Sequence, residues 1–122
     1  MWSPPGGVKE HGEGPEDAAR RELFEETALV AAATLDLVAV TPLHLADMDW
    51  LHCWYACDST DGEVVIHFEH SAYRWMDPLV YKERSYSEDV MKALQNRPVD
   101  LANVMAFRDA YDKFLTWLQR RT

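Results

Sequence analysis

Basic residues are scarce in this chain. Lysine and arginine number 12 against 21 aspartates and glutamates, a formal charge of −9 in 122 residues. A field of that sign repels polyanions unless bound cations invert it locally, which argues against passive nucleic-acid binding. Cysteine is nearly absent too. Cys53 and Cys57 fall in one strand-like run, where the extended chain holds them roughly 13 Å apart, too far for a disulfide. Two free thiols without a disulfide framework fit a reducing, cytoplasmic compartment. There is no long apolar run: "ALVAAATLDLVAV", residues 28 to 40, is broken by Thr34 and Asp36. With no basic stretch leading into an apolar one at the start, neither a membrane span nor a secretory leader is expected. Internal repeats are missing. So is any zinc spacing among His11, His44, His52, His67 and His70, which read as structural or surface residues.

What is present supports a globule. Apolar residues make up 48% of the chain and five are tryptophans, enough at this length for one core and a single domain over residues 1–122. "WSPPGG", residues 2 to 7, reads as an irregular loop. Pro15 after Gly14 opens a helix over residues 15–28 with acids in its first turn. "LDLVAVTP" reads as a strand stopped by Pro42. "WLHCWYACD" and "EVVIHFE" read as strands joined by a hairpin at "STDG", and "AYRWMD" as a short strand ending at Pro78. Residues 88–96 suggest a short helix. After Pro98, residues 98–121 give a longer one whose Leu101, Val104, Met105, Tyr111, Phe114, Leu115 and Leu118 share a side. Helix, strands and helices around a sheet predict a mixed α/β (α+β) domain. Trp50, Trp54 and Trp75 are expected in the core, whereas Trp2 could contact a substrate or cover a sheet.

The first helix concentrates like charge. At ~100° per residue, Glu22, Glu25 and Glu26 share one arc, with Leu23, Phe24, Thr27 and Ala28 opposite. Repulsion at those spacings costs a few tenths of a kcal/mol per pair, and only Arg20 and Arg21 stand near to offset it. A solvated outer face is one reading. A divalent cation would remove the repulsion, and carboxylate oxygens are the ligands hard Mg²⁺ prefers.

Gly7, Glu13 and "RELFEETAL" (Arg21 to Leu29) carry a specific pattern. Their spacing resembles the Nudix box, G-x5-E-x7-R-E-U-x-E-E-x-G-U with U apolar, at eight of nine specified positions. The exception is Ala28, where the family has a glycine at a left-handed helix exit that costs alanine about 1 kcal/mol. The resemblance implies an α/β/α sandwich with a mixed central sheet, and hydrolysis of nucleoside diphosphates linked to a further group with Mg²⁺ or Mn²⁺. It implies that Glu22, Glu25 and Glu26 ligate the metal, that the carbonyl of Gly6 completes the shell, and that Arg21, partnered by Glu13, orients a box glutamate; an ordinary Arg21–Glu25 pair is the alternative.

The resemblance also makes Glu69, in "FEHSAYRWMDP", the candidate general base and metal ligand, with Glu63 as fallback and Glu22 or Glu25 as other choices. "EHSAYRWMDP" with "SYSEDVMKAL" is loosely similar to the branch that hydrolyses dATP or dihydroneopterin triphosphate. Glu88 and Asp89 replace that branch's amide and arginine, leaving Lys82 and Arg84, read as loop residues, as possible phosphate contacts or simply solvated cations. Only six residues precede Gly7, so the family's usual N-terminal strands are lacking; a truncation, a C-terminal helix that covers the gap and a homodimer that completes the sheet all stay open, and the exposed sheet edge favours the homodimer. The expected function is a metal-dependent pyrophosphohydrolase acting on a small nucleotide, a nucleoside triphosphate above all. The rival readings are a catalytically impaired Nudix domain used as a nucleotide-binding or interaction module, and an RNA 5′-end pyrophosphohydrolase, which the acidic balance disfavours.

Overall fold

Gly14 and Pro15 set the start of the first helix: extended backbone at Gly14, then a proline whose missing N–H costs nothing at a first helical position. In the computed structural model, which describes residues 4–66 and 75–121, this helix is α1 (Pro15–Thr27). There follow β1 (Val30–Ala31), β2 (Asp36–Leu45), β3 (Met48–Ala56), β4 (Thr60–Asp61), α2 (Pro78–Ser85), α3 (Glu88–Ala93) and α4 (Pro98–Gln119). The α+β class is as expected; the described strands form two two-stranded sheets, β1–β4 and β2–β3. The chain divides into two compact units, one within Met1–Asp36 and Tyr55–Trp75, the other within Leu37–Trp54 and Met76–Thr122.

In the first unit α1 ends where Ala28 adopts φ 62° and ψ 9° and donates its N–H to the Phe24 carbonyl at 2.8 Å. That is the single-bond left-handed exit, made here by alanine instead of glycine. Thr27 secures it, its hydroxyl donating to Leu23 O at 2.6 Å and accepting from Leu29 N–H at 3.2 Å. β1 pairs antiparallel with β4, Val30 opposite Asp61 and Ala31 opposite Thr60. The "STDG" stretch is therefore no hairpin turn: Thr60 and Asp61 are ladder residues, and Gly62 (φ 100°) makes the bend after them. Residues 63–66 carry no strand, although Val65 N–H reaches Thr27 O at 2.8 Å. The rest of "EVVIHFE" and residues 72–74 of "AYRWMD" lie outside the described residues. Trp75, expected in the core, is 70% exposed because residues 75–77 form no strand to press it inward.

The second unit is a hairpin against helices. Ala46 and Asp47, at φ 51° and 58°, turn β2 into β3 with two left-handed residues, as a tight hairpin requires. The turn sets Leu45 opposite Met48, and the His44–Asp49 side-chain pair at 2.9 Å fits the same register one rank on. In such a hairpin Pro42 and His44 fall at positions whose backbone groups point away from β3. Pro42 therefore costs no ladder bond, and β2 runs through it to Leu45 instead of stopping there. His44's outward N–H and C=O are taken by the amide of Asn103 on α4, at 3.1 and 2.9 Å.

Helix α4 turns inward most of the face expected: Tyr111 is buried, and Leu101, Val104, Phe114, Leu115 and Leu118 are half-buried. Met105 is the exception at 46% exposed, and Asn103 and Ala110 join the buried side. Phe107 packs edge-on against His52 and Trp54 of β3. Thr41 Oγ1, His52 Nδ1 and Trp54 Nε1 of the hairpin are buried and find no hydrogen-bond partner among the described residues. Residues 78–85, expected as loop, form α2, capped by the Asp77 carboxylate on the N–H groups of Leu79 and Val80. α2 is seated on α4 by Tyr111, whose hydroxyl donates to Pro78 O at 2.9 Å, and by the Lys82–Asp112 ion pair at 2.6 Å. Burial pushes the Tyr111 hydroxyl up to about 12.

Candidate functional site

Arg21 is the hub of the acidic helix. Its Nε and Nη2 donate to the two oxygens of Glu13 at 2.8 and 3.0 Å, a two-pronged clamp. Nη1 donates to Glu22 at 2.8 Å and Glu25 at 3.0 Å, Nη2 also to the Val8 carbonyl at 3.1 Å, and Glu10 stands 3.7 Å away. The predicted Glu13 partnership and the plain i, i+4 pair with Glu25 are both made, by different prongs of one guanidinium. The Arg21 hydrogen bonds, then the Glu10 backbone N–H, hold the Glu13 carboxyl down at about 2. Reciprocally, Glu13 and Glu22 hold the Arg21 guanidinium above its ordinary value.

Arg20, expected to share in offsetting the acids, turns the other way. Its two terminal nitrogens donate to the carbonyls of Ala32 and Ala33, each at 2.8 Å, tying α1 to the chain after β1. The glutamate face thus has one guanidinium at its centre.

The loop before the helix closes on that face. Gly6 N–H donates to Glu26 Oε2 at 2.9 Å. Gly7 lies so close to Glu22 that a Cβ there would overlap its carboxylate. Contact with the loop and with Arg21 leaves the Glu22 side chain 15% exposed, while Phe24 on the expected apolar side is 56% exposed.

Of the predicted site residues, Gly6, Arg21, Glu22, Glu25 and Glu26 are brought together here. Glu69, Trp2, His67 and His70 lie outside the described residues, and Glu63 is exposed. Lys82 and Arg84 sit on α2, not in a loop. Sequence reasoning missed Glu10 and the Val8 carbonyl as partners of Arg21; the only signal for Glu10 was an acid three residues before Glu13. Among the described residues no three His, Cys, Asp or Glu side chains converge in a metal-holding group: Glu22 and Glu25 lean on Arg21, and Glu26 on the Gly6 N–H. The donor set nevertheless fits a hard divalent ion, being all carboxylate oxygen, with a glycine loop seated directly on one carboxylate.

A glycine loop closed over a glutamate-lined helix defines a class, and comparison with known proteins names it. The family model of the NUDIX domain matches residues 1–94, and the chain belongs to the Nudix family. It is similar to the solution structure of the E. coli ORF135 protein, with 25% identity and a TM-score of 0.58 over 84% of this chain. The match covers 65% of that protein, so the chain spans a little under two thirds of its length. Nudix enzymes as a class hydrolyse phosphoric anhydrides with divalent metals. No helix among the described residues is long and apolar enough to cross a membrane.

Proposed function

We propose that the chain is a metal-dependent pyrophosphohydrolase that cleaves a nucleoside diphosphate linked to a further group, a nucleoside triphosphate being the substrate class, by attack of water at phosphorus. The observation that carries this reading is the closure of Gly6 and Gly7 over Glu22 and Glu26 beside the Arg21 hub.

Glu22, Glu25 and Glu26, with the Gly6 carbonyl, would hold Mg²⁺ or Mn²⁺. Such an ion neutralises phosphate charge and makes water more acidic. Arg21 sets the positions of Glu22 and Glu25, and Glu13 holds Arg21 in turn. The general base is assigned by family resemblance to Glu69, with Glu22 or Glu25 as the alternatives. The test is phosphate release from a nucleotide panel with Mg²⁺, comparing the native chain with Glu26→Gln. A Mg²⁺-dependent rate lost in the variant supports the enzyme; equal background rates in both leave the non-catalytic module.

Two further parts of the reading are proposals. Free Cys53 and Cys57 support a reducing, cytoplasmic setting. Exposed Leu37, Met48 and Leu51 on the hairpin, at 53%, 57% and 76%, support a homodimer. Light scattering that finds only monomer at high concentration removes the dimer.

A further inference from the structure

Every N–H of the Arg21 guanidinium is taken, and its acceptors come in two sets. Nε and Nη2 serve Glu13 and the Val8 carbonyl, both from the loop before α1. Nη1 gives one bond to Glu22 and one to Glu25, on α1 itself. The loop set holds Arg21 in place. The helix set consists of carboxylates read above as ligands of a divalent ion. A carboxylate drawn toward such an ion bonds a guanidinium less well, and the ion repels the guanidinium outright. Arg21 would then be short of acceptors and of negative charge on its Nη1 side.

One more carboxylate stands on that side. Glu10 Oε1 lies 3.7 Å from Nη1, the same nitrogen that serves Glu22 and Glu25, within ion-pairing range but beyond a hydrogen bond. The Glu10 side chain is 69% exposed and free to turn. Its backbone is fixed: the Glu10 N–H donates to Glu13 Oε1 at 3.0 Å, and its carbonyl accepts from the Glu13 N–H at 3.1 Å. Gly12, at φ 80°, supplies the left-handed residue that lets the chain turn between them. Glu10 is thus fastened to the residue that clamps Arg21, and a closure of about 0.8 Å brings its carboxylate to ordinary bonding distance.

We propose that Glu10 is a positioning residue that takes over the Nη1 hydrogens of Arg21 as Glu22 and Glu25 turn to a divalent ion. The exchange keeps the guanidinium neutralised and bonded throughout by one loop, Val8 to Glu13, while the helix carboxylates change partner. It rests on the metal-binding reading proposed above, and it adds a carboxylate that guides loading without ligating the ion.

Glu10→Gln tests it, because glutamine keeps the size of the side chain and both backbone bonds and removes only the charge. Glu16→Gln is the control: Glu16 is also well exposed, at 49%, and pairs with Arg20 instead. Mn²⁺ binding to the full chain is followed by the paramagnetic resonance of the free ion. Expected is a Kd about fivefold weaker in Glu10→Gln and changed by less than about twofold in Glu16→Gln. With Mg²⁺ in place of Mn²⁺, the Arg21 Nη1 protons should stay visible by NMR in the native chain and broaden by exchange with water in Glu10→Gln. In EDTA the native and Glu10→Gln chains should melt together, since an exposed pair at 3.7 Å adds little. Equal Mn²⁺ affinity in native and Glu10→Gln chains overturns the exchange and leaves the metal reading standing. An equal loss in Glu16→Gln does the same, because charge alone would then explain it. A lower melting point of Glu10→Gln in EDTA would mean that Glu10 already serves Arg21, and would also overturn the exchange. No Mn²⁺ uptake by the native chain overturns both readings together.

Discussion

Arg21 is a single side chain that answers four carboxylates and a carbonyl, and the consequences can be measured at that scale. Glu13, at about 2 against an ordinary 4.5, lends the fold stability that is fully present above pH 4.5 and is lost as pH falls through about 2. Thermal melts between pH 5 and pH 2 should therefore fall more steeply for the native chain than for Glu13→Gln, and carboxyl ¹³C shifts should show Glu13 ionised at pH 3.5. Gly7→Ala makes a separate prediction. The new methyl group must push aside a Glu22 carboxylate that Arg21 holds, so kcat/KM should drop about 10²-fold while Tm barely changes, because the loop itself is exposed. A Gly7→Ala enzyme with native kcat/KM would separate that contact from catalysis. The positions of this cluster were legible in the sequence, since the box spacing fixes which glutamates share a helix face. The division of labour between Arg20 and Arg21 was not, because it depends on where the chain runs after β1.

At the scale of elements, helix ends and turns decided what could be read. α1 was clear from Gly14, Pro15 and the exit at Ala28, and its left-handed alanine predicts that Ala28→Gly raises stability by about 1 kcal/mol, seen as a Tm higher by about 3–5 °C. The β2–β3 turn went unread because Ala46–Asp47 lacks the Asn-Gly signature that usually marks two left-handed residues. α2 went unread because Asp77–Pro78 was taken only as the stop of a strand, although the same pair is a cap and first residue for a helix. β4 is two residues long, below what alternation in a sequence can reveal. Asn103, which carried no reading in the sequence, ties α4 to β2. Asn103→Ala should cost about 1–3 kcal/mol in urea unfolding, by leaving the His44 N–H and C=O without the amide.

For the whole molecule, the expectation concerns its charge. At −9 the chain gains on binding cations, and the glutamate face of α1 is where they should act. Mn²⁺ should raise Tm in the native chain, EDTA should reverse the rise, and Glu26→Gln should flatten it. A flat response in the native chain would remove the metal from the account.

The outward margin of β2 has one more consequence. Pro42 has no hydrogen to offer there, and the amide of Asn103 already occupies the next exposed backbone pair. A stray extended segment, from another molecule or a nascent neighbour, finds these two ranks nearest the turn closed to a ladder. Opening the margin with Pro42→Val and Asn103→Ala together should turn a well-behaved chain into one that seeds fibrils, detectable by thioflavin fluorescence on standing.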